Sequence, residues 1–152
     1  MKKTFFIILA LVCMFSNPII SYACQNPQKS FLQKVSTQIA DLGNGITMES
    51  TITEYHKNSR SKTRTAVKTS TCKANGKTIA TIKLTATFTY TGSSAVCTNA
   101  SSTYSMSDGW SYKNRSTTRS KNTATTKARL SNGINYSDIS VTMTCSKTGE
   151  IS

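Results

Sequence analysis

The sequence predicts an all-β protein: a single Ig-like antiparallel β-sandwich of about seven or eight strands, preceded by an N-terminal signal peptide. Three observations carry that expectation. Several segments alternate apolar and hydroxyl residues with a period of two, the pattern of a strand with one face turned inward. Asn-Gly pairs stand between strand-like runs, where a tight hairpin turn needs residues that accept positive φ. Cys97 and Cys145 lie on two such segments, 48 residues apart, and the cysteines of an exported domain are expected to pair, in one of the three connectivities that four mature cysteines allow.

The elements follow in chain order. Lys2 and Lys3 precede an apolar run over residues 5–15, Pro18 breaks it, and Ser21 and Ala23 are small residues at the two positions a signal peptidase reads. The run is too short for a membrane span. Residues 1–23 therefore read as a signal peptide that carries Cys13 away, giving a secreted mature chain from Cys24 with no transmembrane segment. The position of Cys24 raises the alternative of a lipoprotein anchor, and Ser21 and Tyr22 before it are poor matches to that signal. Residues 24–33 read as a flexible or partly helical lead-in, and residues 34–152 as the β-sandwich. Phe31, Leu32, Val35, Ile39 and Leu42 have helical spacing, whereas Val35, Thr37 and Ile39 alternate as a strand. The strand reading is favoured, because it runs into a hairpin turn at Asn44-Gly45.

Residues 46–55 place Ile46, Met48 and Ile52 on one face. Residues 78–90 alternate more clearly, with Ala80, Ile82, Leu84, Ala86, Phe88 and Tyr90 inward and Thr81, Lys83, Thr85, Thr87 and Thr89 outward. Threonine suits an exposed strand face because its branched Cβ favours extended backbone. Ile139, Val141, Met143 and Cys145 repeat the device near the C-terminus. Weaker strand signals cover 62–72, 95–106, 110–114 and 122–130. Asn75-Gly76, Asn132-Gly133 and Gly92 supply turns. Trp110, the lone tryptophan, reads as a core residue packed near paired cysteines, as in immunoglobulin-type sandwiches, rather than as a stacking platform for a sugar or base.

The chain carries 19 Lys and Arg against 6 Asp and Glu, net +13; loss of Lys2 and Lys3 leaves 17 against 6, or +11. A field of that sign attracts polyanions. Outside a cell the nearest are cell-wall polyanions and the anionic membrane surface, and no nucleic-acid-binding signature accompanies the charge. The cations cluster in residues 56–64, with Lys57, Arg60, Lys62 and Arg64, and in residues 112–121, with Lys113, Arg115, Arg119 and Lys121. These eight are the candidate polyanion-binding residues, and Lys127 and Arg129 share one face of a later strand. If the clusters do not converge, they are solvated loops and edge lysines that discourage aggregation.

Catalytic chemistry is hard to assemble from this inventory. There is one histidine, His56, and the six acids are scattered. No nucleophile elbow or phosphate-cradling glycine loop occurs. The cysteines are too far apart, with a single histidine, to suggest a zinc site. The expectation is a non-enzyme with no catalytic residue, metal or cofactor. Three functional classes remain: an envelope-associated polyanion binder, a secreted antimicrobial or toxin-like protein acting on anionic membranes, and a structural protein without a specific partner.

The ordered string of residues 75–98, NGKTIATIKLTATFTYTGSSAVCT, then Trp110, SKNTATTKA at 120–128 and VTMTCSKTGEIS at 141–152 resembles a group of small secreted proteins of Gram-positive bacteria. That group shares a strand ending in TFTYxG, a following cysteine, a central tryptophan, an NTAT-like strand and a terminal TCSxxGxxS. The resemblance covers most of residues 42–152 and implies a secreted β-domain with no catalytic activity. Cys24 and Cys72 depart from the pattern. Four mature cysteines allow three connectivities. The resemblance selects Cys97–Cys145, leaving Cys24 and Cys72 as a second pair or separately occupied. Closing a loop of about fifty residues contributes about 4 kcal/mol in the chain-entropy account.

Overall fold

The computed structural model describes residues 31–56 and 62–152, with side chains from Ser36 to Tyr55 and from Lys62 onward. Eight strands account for most of it: β1 (Phe31–Asp41), β2 (Ile46–His56), β3 (Thr63–Ala74), β4 (Lys77–Tyr90), β5 (Ala95–Met106), β6 (Ser111–Ser120), β7 (Thr123–Ser131) and β8 (Tyr136–Thr144). They form two antiparallel sheets, β1-β2-β3-β4-β5 and β6-β7-β8, packed as one β-sandwich. Strand order follows chain order throughout, so every neighbour is reached by a local connection. Immunoglobulin domains reach theirs through Greek-key connections; the likeness here lies in two antiparallel sheets face to face, not in the path of the chain. Among the described residues no helix is long and apolar enough to cross a membrane.

The ambiguous segment before Asp41 is strand from Phe31 onward, paired with β2. Asn44-Gly45 and Asn75-Gly76 both take positive φ (54° and 70°, 49° and 77°), as a two-residue hairpin with right-handed strand twist requires. Connections β1–β2, β3–β4, β5–β6 and β7–β8 gather at one end. There the Asn44 Nδ2 donates to the Tyr136 carbonyl at 3.3 Å. The opposite end holds β4–β5, β6–β7 and the C-terminal residues.

The core lies between β4 and the small sheet. Ala80, Ile82, Leu84, Ala86 and Phe88 of β4 are buried, facing Ala124, Ala128 and Leu130 of β7 and Ile139, Val141 and Met143 of β8. Each large side chain removed from water contributes about 1.5–3 kcal/mol. Outward residues are mainly threonine, and Thr65 and Thr87 pair their hydroxyls across β3 and β4 at 3.0 Å. Trp110 differs from its expected place. It packs half-buried on the core margin, in the β5–β6 connection, at the end away from Cys97 and Cys145. The chain crosses from the large sheet to the small one there, so the tryptophan plugs an end and does not shield the cysteines.

Candidate functional site

The sequence candidates fall in different places. Lys57 and Arg60, with Cys24, lie outside the described residues. Lys62 is exposed at the C-terminal end of the sandwich, and Lys121 occupies the β6–β7 turn at the same end with φ 50°. Backbone hydrogen bonds explain why they meet. Tyr90 N–H donates to the Lys62 carbonyl (2.9 Å), Gly92 N–H to the Lys147 carbonyl (3.0 Å), and Cys97 N–H to the Lys121 carbonyl (2.7 Å). The backbones of three lysines from three separate segments thus border the β4–β5 turn and the start of β5, with Arg119 close enough to act on Cys97. Lys147 escaped the sequence reading because it stands alone in its segment; its place beside Cys145 is the signal that could have marked it.

The other candidates do not join this ring. Arg64 points inward from β3 and binds Glu54 of β2 at 2.8 Å, with its guanidinium 5.7 Å from the Tyr90 ring. Burial works against the Arg64 charge, and bonds to Tyr90 and Glu54 outweigh it, so its pKa stands above the ordinary value. Lys113 is on the outer face of β6 opposite Arg129, and Arg115 stacks over Tyr104 at 5.3 Å. A bulge between Lys113 and Ser116, with Asn114 at φ 52°, opens an outer depression of about 450 Å³ lined in part by Lys127, Arg129 and Asp138. Arg129 is held there by both Asp138 oxygens at 2.8 and 2.9 Å, which offsets its charge and leaves Lys127 as the lining cation outside the described ion pairs.

The two long sides of the sandwich are unlike. Along β5 and β6 the sheets are stitched by hydroxyls: Ser102 to Thr117 (2.5 Å) and Tyr104 to Thr126 (2.6 Å). Burial alone would raise the Tyr104 pKa, but hydrogen bonds from Ser102, Thr126 and Thr117 bring it below the ordinary value. Along β1 and β8 no such run of hydroxyl pairs occurs among the described residues, where five strands face three. The inner face of β2 and β3 beside that opening sets polar residues among the buried Ile52 and Ala66. Ser50 and Ser70 share a buried hydrogen bond of 2.7 Å, and the Lys68 ammonium donates to the Thr142 carbonyl at 3.0 Å.

No family model, curated protein or solved structure matches this chain.

Cys97 and Cys145 are neighbours at the C-terminal end. Cys97 N–H is bound by the Lys121 carbonyl and Cys145 N–H by the adjacent Asn122 carbonyl (3.0 Å), while the Asn122 amide donates to the Cys145 carbonyl at 2.7 Å. Both are buried and carry free thiols, as does Cys72. Cys72 pairs opposite Ala80, and Cys97 opposite Phe88. The eight residue steps along β4 between those positions span about 26 Å at about 3.3 Å per residue, so Cys72 is out of bonding range of Cys97. Burial pushes the Cys72 thiol up to about 11, which makes it an inert core group. Among the described residues no cluster of three or more His, Cys, Asp or Glu could hold a metal.

Proposed function

We infer that the protein is a secreted, non-catalytic β-sandwich that associates with the anionic cell envelope by binding polyanions. The observation that carries this reading is the ring of Lys62, Lys121 and Lys147 around the β4–β5 turn, set in a mature chain of net charge +11. Resemblance to small secreted Gram-positive proteins supports the location. A lysine near an anionic surface is worth about 1 kcal/mol, so the triple variant Lys62→Ser, Lys121→Ser, Lys147→Ser should bind purified cell wall roughly a hundredfold more weakly. Wild-type retention should fall with salt and with removal of teichoic acid. Retention that ignores salt, or survives the triple variant unchanged, overturns the reading.

The rival is a membrane-active protein. Ile134 stands 90% exposed at the β7–β8 turn, next to the exposed Tyr136, an apolar tip of the kind that enters a bilayer interface. Dye leakage from anionic vesicles at low protein concentration favours this rival. Binding to neither wall nor vesicle leaves the charge as a solubility device.

The same reading includes a Cys97–Cys145 bond formed after export, two thiols giving up two protons and two electrons to an extracellular oxidant. Their shared anchoring on the Lys121-Asn122 turn supports it. Non-reducing peptide maps of secreted protein should show those two peptides linked. A Cys97 peptide linked elsewhere, or two free thiols, removes the bond from the account.

A further inference from the structure

Between β1 and β8 the two sheets part around a cavity of about 200 Å³, lined by Gln38, Ala40, Met48, Ser50 and Lys68 and by the edge of β8 at residues 140–142. Lys68 is half-buried there. It takes part in none of the described ion pairs, which join Arg64 to Glu54, Lys73 to Glu49 and Arg129 to Asp138. One of its three ammonium protons is used, on the Thr142 carbonyl. Burial lowers its pKa and no attraction opposes that, the signature of a cation short of a counter-charge.

The edge of β8 adds a donor. Along an antiparallel strand each residue's N–H and C=O face the same side, and the sides alternate. Thr144 turns both groups away from β7, because both are bonded to Ser152 (2.8 and 3.0 Å). Thr142, two residues along, faces the same way. Its carbonyl is taken by Lys68, and its N–H points off the same edge, where Thr142 lines the cavity.

We propose that this cavity is a binding site for a carboxylate, held by the Lys68 ammonium and the Thr142 N–H, with the Gln38 amide as a further donor. One cation matches one negative charge; a dianion would bring a second that nothing in the lining neutralises. Ala40, Met48 and Val141 leave room for a short apolar group beside the carboxylate. The site lies apart from the Lys62, Lys121 and Lys147 ring, so its success or failure is read independently of polyanion binding.

The test is an NMR titration of the folded protein with acetate, inorganic phosphate and uncharged acetamide. Acetate should shift the Lys68 ε-methylene and the Thr142 amide saturably, while the exposed Lys83 and Lys127 move only with ionic strength and acetamide does nothing. Lys68→Met should weaken acetate binding about tenfold or more, the share of a charge-assisted hydrogen bond. Should that variant not fold, Gln38→Glu serves instead. Gln38 is exposed, and the new carboxylate should occupy the site, raise the Lys68 pKa and abolish the acetate response. Three results overturn the proposal: a Lys68 resonance indifferent to acetate, an acetate response unchanged in both variants, or tighter binding of phosphate than acetate.

Discussion

Two regions of the large sheet, β4 and the β2–β3 pair, have the same strand geometry, but the inner face of β4 is apolar throughout while that of β2–β3 mixes apolar and polar residues. β4 lies under the small sheet and buries Ala80, Ile82, Leu84, Ala86 and Phe88 in unbroken alternation. β2 and β3 lie toward the opening, and their inward positions include Ser50, Glu54, Arg64, Lys68 and Ser70. What differs is cover. Three strands cannot roof five, so the small sheet covers the inner face of β2 and β3 less completely than that of β4. Apolar groups stay dry there only where a neighbour covers them, as it does Ile52 and Ala66, and polar groups are tolerated only when bonded. Ser50 answers Ser70, Glu54 answers Arg64, and Lys68 answers the edge of β8. The covered half gains by excluding water, and the uncovered half holds together by matching donors to acceptors.

The comparison predicts which substitutions hurt and why. Leu84→Ala removes a fully buried side chain and should cost about 4 kcal/mol in urea unfolding, within the range of about 2–5 for such cavities. Glu54→Ala on the uncovered half should cost about 3 kcal/mol, because it leaves the Arg64 charge without its carboxylate in a site where Glu54 is only 7% exposed. If the β2–β3 face were a loose margin, Glu54→Ala would cost well under about 1 kcal/mol, as for a surface pair, and the contrast would fail.

Cys72 sharpens the boundary between the halves, since it faces inward from β3 and is completely buried. Its thiol titrates near 11 when folded against an ordinary 9.0. Below pH 9 both states hold the proton and the stabilisation is complete. Between 9 and about 11 the unfolded chain releases the proton first, so stability falls as pH rises. Two pKa units correspond to up to about 2–3 kcal/mol. Cys72→Ala should flatten the alkaline slope measured from pH 8 to 11. An unchanged slope would mean that water reaches this part of β3.

Much of the covered half was legible in the sequence. Ile82, Leu84, Phe88, Ile139, Val141 and Met143 were expected inward and are buried, because a strand under full cover prints its parity as apolar against threonine. The Asn-Gly turns were legible for the local reason that they need positive φ. The uncovered half was not. Ser50 and Glu54 have the same parity as Ile46 and Ile52, but a polar residue at an inward position looks like a fault in the pattern until the missing roof is known. β6 was read as residues 110–114 and runs over Ser111–Ser120; its bulge shifts the parity midway and its seam uses Thr117 where a core strand would use an apolar residue. The basic ring was half legible. Lys62 and Lys121 belonged to visible clusters, whereas their meeting with Lys147 depends on long-range backbone bonds that no local pattern announces.

The smallest expected effects lie on the closed side and differ in sign. Tyr104 and Tyr112 meet edge to face with centroids 5.2 Å apart, so the two rings share one environment and differ in their hydroxyls. Tyr104 OH bonds Thr126 at 2.6 Å and accepts from Ser102 at 3.0 Å. Tyr112 OH is buried with no hydrogen-bond partner among the described residues, and burial, with the nearby Cys72 and Tyr104, pushes its pKa up. Tyr104→Phe removes both bonds and should cost about 1–2 kcal/mol, at about 0.5–1.5 for each such interaction. Tyr112→Phe removes a hydroxyl that loses its water and gains nothing, so the variant should be more stable by up to about 1 kcal/mol, with the ring packing unchanged. Urea midpoints at equal m-value read the difference directly. If Tyr112→Phe proves destabilising, its hydroxyl is bonded in solution, and the closed side is more polar than the covered core it adjoins.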